Sequence, residues 1–337
     1  MTTYRVHVST DLGGDPDDIQ SLYRLVHYSD ILEVEGISSC TGPGSDPSAE
    51  LIREWIRRVD VEHLRERGYT DLMAEEELLD VTKQGPTEPR APYDGGDTPG
   101  SNHLIERATA GDPAGEGRPL WVLVWGSLTG VAQALYDEPT IAENVRIYYI
   151  SSSNTQHDPE ARDWVYDFMA EEFPDLWWIE SGRLPKWSAE TFRGVHLGGV
   201  QRGAWGRRSF VDEYIRGRGS THGGDFEEQC GDVFPTATAT GMERLGVDDG
   251  RPKEGILKEG DSPSMLYLLS PVVGGVGDVD DPTRPNWGGR YRRPEPDRFR
   301  NYYTDLDADV ASCLRTISRW RVDFLTDWRD RWKRYDE

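Results

Sequence analysis

The spacing of apolar residues changes period along the chain, and the changes predict strands alternating with helices. Residues 4–10 alternate and carry β-branched side chains, which predicts a strand. An Asp/Gly/Pro loop follows, and then Ile19, Leu22, Leu25 and Val26 recur at helical spacing. Residues 32–38 read as a second strand, and Leu51, Ile52, Trp55, Ile56 and Val59 as a second helix. After a Pro/Gly/Asp-rich excursion over 83–119, holding a short helix, the apolar run 120–125 has the look of a central parallel strand. Leu128, Val131, Ala132 and Leu135 carry the next helix, 145–150 a strand, 160–172 a helix and 176–179 a strand. The order predicts an α/β fold: a mostly parallel open sheet with helices on both faces.

From 181 to 260 the period fades, and this stretch reads as an irregular cap over the sheet. A short helix is expected near Pro263, a Gly/Pro-rich loop over 271–297, and one long amphipathic helix over about 305–335, carrying Val310, Cys313, Leu314, Ile317, Phe324 and Trp328. No internal repeat or linker splits the chain. Residues 1–337 therefore read as one domain, with a core over about 4–295.

Charge narrows the partners. There are 61 acidic against 38 basic residues, a net charge of −23, and only five of the basic residues are Lys. Such a surface repels phosphate backbones, so no nucleic-acid partner is expected. Twelve Trp argue against disorder. A solvated acidic surface suited to high salt, a halophilic trait, fits better. No apolar run approaches a membrane span, and the first residues show no basic-then-apolar leader, which gives a cytoplasmic expectation. Cys40, Cys230 and Cys313 are far apart and form no CxxC pair, so buried free thiols are expected rather than zinc or disulfides.

The most informative stretch is the loop after the first strand. Asp11, Asp15, Asp17 and Asp18 put four carboxylates within eight residues, with Gly13 and Gly14 allowing a sharp turn. A strand-to-helix junction of this kind lies at the carboxyl ends of the strands, where α/β proteins bind ligands. Clustered carboxylates repel unless protons or a cation neutralise them, and calcium accepts six to eight oxygens. Helix N-capping explains one or two aspartates, not four with two glycines. The loop lacks the EF-hand alternation, and the chain has no phosphate loop, nucleophile elbow or HExxH.

Four stretches together resemble the nucleoside hydrolase superfamily, and more closely its nucleoside-hydrolase-like family first described at the N-terminus of a cellulose-binding protein. They are 9–18 (STDLGGDPDD), 125–134 (WGSLTGVAQA), 259–264 (EGDSPS) and 286–291 (NWGGRY). The resemblance implies a calcium-dependent hydrolase of glycosidic bonds, foremost an N-ribohydrolase acting on nucleosides. Another glycoside, or a non-catalytic carbohydrate-binding module on the same fold, are the alternatives. It implies Asp11 as calcium ligand and general base. Asp17, Asp18, Asp261 and the Thr129 carbonyl complete the ligands, and Asn154 binds sugar. Asp15 is a further candidate ligand, because the loop is two residues longer than the family's. Glu259 and Trp287 are candidate substrate contacts, and Trp205 a second candidate for stacking. Ser9 stands where the family has an aspartate, and Gly260 where some members have a histidine that helps the base leave. Glu259, His157, His196 and His222 are the alternative acids. A small-molecule nucleoside or sugar is the implied partner. Superfamily members are often homo-oligomers, although no residue pattern here specifies an interface.

Overall fold

The computed structural model describes residues 3–14, 16–185, 188–218 and 257–336. Its centre is an eight-stranded sheet in the order β3-β2-β1-β4-β5-β6-β8-β7. The strands are β1 Tyr4–Thr10, β2 Leu32–Ser39, β3 Thr82–Lys83, β4 Leu120–Val124, β5 Val145–Ile150, β6 Trp177–Ser181, β7 Tyr291–Arg292 and β8 Tyr302–Asp305. All neighbours pair in parallel except β7 with β8. The chain leaves β1 toward β2 on one side and returns on the other as β4, so the order reverses at β1. Loops at such a reversal diverge and open a crevice at the carboxyl ends of the strands. Asp11 is the first residue beyond β1.

Successive strand residues point to opposite faces, and both faces are buried. Trp121 and Leu123 enter one core with Val6, Val8, Tyr148 and Ile150. Leu120, Val122 and Val124 enter the other with Ile147 and Tyr149. Helices Pro16–His27, Ala49–Val59, Ser262–Leu269 and Arg321–Lys333 cover the first face. Helices Pro99–Ala110, Thr129–Asp137 and Pro159–Glu171 cover the second.

Local chemistry sets where the helices begin. The Ser48 hydroxyl accepts from Leu51 N at 3.2 Å, and Thr98 plays the same part before Pro99. Asp158 caps Pro159–Glu171 by accepting from Ala161 N at 3.2 Å.

The helix Pro16–His27 is buried on every side. Its apolar stripe meets the sheet, while Arg24 and His27 on other sides meet partners from the C-terminal third. Arg24 lies 4.0 Å from the ring centre of Trp328, and His27 hydrogen-bonds Trp328 and Tyr335.

The C-terminal region departs from the expected single helix. The helices Val310–Ser318 and Arg321–Lys333 are separate, breaking at Arg319 and Trp320. Before them, β8 inserts between β6 and β7, so residues beyond 295 belong to the central sheet. The apolar period continues across the break because both helices bury a face, and period alone does not register a change of axis. Strands β3 and β7 have two residues each, too short for alternation to reveal. Cys40 and Cys313 are buried free thiols, and Cys230 lies outside the described residues. Among the described residues no helix is long and apolar enough to cross a membrane.

Candidate metal centre

Three loop ends are laced together beside β1. Cys40 N donates to Thr10 O at 2.8 Å, Trp125 N to Ser9 O at 2.7 Å, and Ser127 N to Thr41 O at 2.8 Å. Asp11 sits among them, 7% exposed. Two glycines make room for it. A Cβ on Gly42 would lie 1.4 Å from Asp11 Oδ2, and one on Gly126 would lie 2.7 Å from Asp11 Cβ. Both glycines follow strand ends, after β2 and β4, and leave the carboxylate one narrow slot.

Asp17 and Asp18 occupy the first turn of Pro16–His27, where the helix dipole favours negative charge. Asp18 accepts a short hydrogen bond from the Thr10 hydroxyl, which turns it toward β1. Asp261 precedes Ser262–Leu269 at the N-cap position, but its side chain makes no capping bond. The Ser21 and Ser262 hydroxyls, 3.0 Å apart, join the two helices close to their N-terminal ends. The result is that one carboxylate oxygen from each of Asp17, Asp18 and Asp261 lies within 4.8 Å of the others, and all three residues are buried. Asp261 is 243 positions beyond Asp18 in sequence, so only folding brings it there.

This donor set suits a hard cation. It is all carboxylate oxygen, with no thiolate or imidazole to favour a softer metal. A positive group already answers the cluster's charge: Lys258 Nζ lies 3.0 Å from Asp17 Oδ2, with both side chains largely buried. Asp11 is not one of the three carboxylates that meet, but both Asp11 and Asp18 act on the Cys40 thiol. Burial foremost, and then these carboxylates, push that thiol well above its ordinary pKa and keep it neutral.

The other candidates fall into distinct places. Thr129 opens its helix, and its N–H and hydroxyl both donate to Asp158 Oδ2, at 3.0 and 2.7 Å. Burial raises the Asp158 pKa despite these bonds. Asn154 stands beyond the end of β5 and donates to the carbonyls of Trp125 and Ile150, at 2.6 and 2.9 Å. Both amide hydrogens are engaged, so its carbonyl oxygen is what remains for a ligand. Asp15 and His222 lie outside the described residues.

Two of the expected substrate contacts are buried and engaged within the protein. Glu259 is fully buried and held by Arg24 through a two-pronged pair at 2.6 and 3.0 Å; Ser262 Oγ also donates to it. Trp287 is 3% exposed and belongs to the core, with Phe324 at 6.4 Å. The reason is the same for both: their loops fold inward onto helices that are distant in sequence. Replacing Glu259 by Ala is therefore expected to cost about 3–5 kcal/mol of stability, because Arg24 is left buried and unpaired. Denaturant unfolding reads this directly. Weaker sugar binding at unchanged stability would restore a ligand role.

Among the histidines, His196 is buried, and neither ring nitrogen has a hydrogen-bond partner among the described residues. Burial first, and then the charges of Arg193, Lys258, Arg207 and Arg321, hold its pKa well below the ordinary value. It is neutral near pH 7 and has no imidazolium proton to donate. His157 ends the short helix Ser153–His157. Trp205 is half-buried against Tyr214 at 6.0 Å, near the C-terminal helix.

The residues that sequence reasoning passed over are Gly42, Gly126 and Lys258. The glycines had a usable signal, since each follows a strand whose carboxyl end faces the crevice. Lys258 had none, because it lies within the region of lost period.

The sequence profile of one family, described as "Cellulose-binding Sde182, nucleoside hydrolase-like domain", matches residues 5–291. The chain belongs to this family. The nucleoside hydrolase-like fold recurs in solved structures. One is a nucleoside hydrolase-related hypothetical protein from Saccharophagus degradans, associated with carbohydrate metabolism. It is 21% identical with a TM-score of 0.69, covering 99% of this chain and 72% of that one. A plant nucleoside hydrolase is 12% identical with a TM-score of 0.51, covering 95% of this chain and 98% of that one. The type III effector protein XopQ, complexed with adenosine diphosphate ribose, is 12% identical with a TM-score of 0.53; the match covers 96% of this chain and 95% of that one. At these identities the likeness establishes the nucleoside hydrolase-like fold. No curated protein matches the chain.

Proposed function

We propose that this nucleoside hydrolase-like chain is a calcium-dependent hydrolase of glycosidic bonds, acting first on nucleosides or related N-glycosides. The observation that carries the reading is the convergence of the buried carboxylates of Asp17, Asp18 and Asp261, from two helices far apart in sequence. Asp11, Asp17, Asp18, Asp261 and the Thr129 carbonyl would hold the ion. An ion held by these residues would supply the positive charge that lets a water give up a proton near neutral pH. Asp11 accepts that proton. The water attacks the anomeric carbon, and the bond to the leaving group breaks as positive charge develops on the sugar. The buried carboxylates favour that charge. The Asn154 carbonyl oxygen would accept from a sugar hydroxyl. The products are a free sugar and its leaving group.

A specific observation supports a second reading, hydrolysis of a glycoside other than a nucleoside. Gly260 stands where some nucleoside hydrolases carry a histidine that helps the base leave. A Cβ there would lie 2.3 Å from Asp17 Oδ2, so no larger residue fits without moving Asp17. Binding without catalysis is the third reading, and the cellulose-binding description of the family favours testing it.

The deciding experiment measures reducing-sugar release from purine and pyrimidine nucleosides in high potassium chloride, with calcium and then with chelator. Release that falls at least roughly tenfold on chelation is the expected result. No release from any nucleoside, with calcium bound stoichiometrically, would sink the nucleosidase reading. Other glycosides would then be the substrates to test.

A further inference from the structure

The segment 258–261 wraps around Asp17. The Lys258 ammonium lies 3.0 Å from Asp17 Oδ2, the Gly260 backbone closes against the same carboxylate, and Asp261 adds its carboxylate to the cluster. The placement is built into the fold. Gln20 Oε1 accepts from both Lys258 N and Glu259 N, at 2.7 and 3.0 Å. Glu259 is in turn locked to Arg24. Gln20 and Arg24 lie on the same helix as Asp17 and Asp18, so the lysine and the aspartates are fixed to one rigid element. The Lys258 side chain is only 6% exposed. Burying an ammonium carries a heavy desolvation cost, which close carboxylates offset.

We propose that Lys258 is an internal counter-cation that competes with the divalent ion for Asp17, so that metal binding and release of the ammonium are one coupled step. The inference rests on the metal-binding reading above and deepens it. Without metal, the ammonium neutralises part of a cluster whose carboxylates would otherwise repel one another. With metal, a dication and an ammonium cannot both sit against Asp17 in a buried site without strong repulsion. The lysine therefore lowers metal affinity and, in exchange, keeps the metal-free site folded. Occupancy then depends on how much divalent ion is present, and the site is not permanently filled.

The test uses the full chain as wild type, Lys258→Met and Lys258→Arg. Calcium binding is followed by calorimetry, and unfolding temperature is read in chelator and in calcium. Lys258→Met keeps the length of the side chain and removes its charge. It should bind calcium at least about tenfold more tightly than wild type. It should also unfold at a lower temperature in chelator and gain more from calcium. Lys258→Arg keeps the charge and should stay within about threefold of wild-type affinity. Equal or weaker calcium binding by Lys258→Met, while wild type binds, overturns the competition and leaves the metal reading standing. Binding by Lys258→Met but not by wild type supports it in its strongest form. No binding by either overturns both. If Lys258→Met does not fold, Lys258→Gln in calcium serves in its place, with the same expected gain in affinity.

Discussion

Replacing Asp11 by alanine is expected to lower kcat by about 10²–10⁴-fold while leaving the protein folded. That size follows from the role proposed for it, taking a proton from the attacking water in the transition state. The fold should survive because Asp11 lies in a loop pinned by backbone bonds between Cys40 and Thr10, Trp125 and Ser9, and Ser127 and Thr41. None of these uses its side chain. Asp11→Asn sharpens the test. It keeps the shape but exchanges one acceptor oxygen for an NH2 donor and cannot accept the proton, so it should lose nearly as much turnover as Asp11→Ala. Kinetics at saturating calcium separate this from simple loss of metal. If turnover returns to within a few-fold of wild type at high calcium, Asp11 is a ligand and not the base. A binding module would show no turnover to lose, and Asp11→Ala would weaken sugar binding only as far as it weakens metal binding.

The second large effect is expected from a residue with no side chain. Gly42→Ala would place a Cβ 1.4 Å from Asp11 Oδ2, so one of the two must move. Asp11 cannot retreat toward β4, because Gly126 already closes against its Cβ on that side. The carboxylate should therefore swing out of its slot by about an ångström, a displacement that costs roughly 10²-fold in rate in a preorganised site. The accompanying loss of stability should be about 1–3 kcal/mol, the usual range for overpacking. Steady-state kinetics together with thermal unfolding separate the two effects. Activity within twofold of wild type would mean that the slot does not set the position of Asp11. A Cβ on Gly126 would lie 2.6 Å from Cys40 Sγ and 2.7 Å from Asp11 Cβ, so Gly126→Ala should also disturb Asp11 and act in the same direction.

The lysine inference adds a contrast between the two kinds of variant. Removing Asp11 should damage chemistry with little change in the metal-free fold. Removing the charge of Lys258 should weaken the metal-free fold and strengthen metal binding. These opposite signs arise because the role proposed for Asp11 is on the attacking water, whereas Lys258 neutralises a carboxylate on a fully buried helix.

Much of this protein was readable from local pattern. The strand-loop-helix opening, the continuous apolar run of β4 and the helix before Val59 each bury a face at a regular period, and periodicity reports that directly. The aspartate loop was legible for a different reason: Asp11, Asp17 and Asp18 are neighbours in sequence, so their mutual repulsion, and with it the expectation of a cation, can be read without a fold. The resemblance then supplied Asp261 and the family, which the match over 5–291 establishes. What tertiary structure alone decided concerns residues whose partners lie far along the chain. Glu259 had the look of a site residue beside Asp261, yet Arg24, 235 positions away, binds it from the buried helix. Trp287 stood in a family motif, yet it packs into the core against Phe324. The strand β8 has only four residues and became visible when it paired with β6. The slot for Asp11 requires the ends of β2 and β4 to meet beside β1. Lys258 meets Asp17 because Gln20 anchors its backbone to the first helix. Sequence pattern reports which face of an element is buried; it carries no record of which distant group meets that face, and at this site the distant groups set charge and shape.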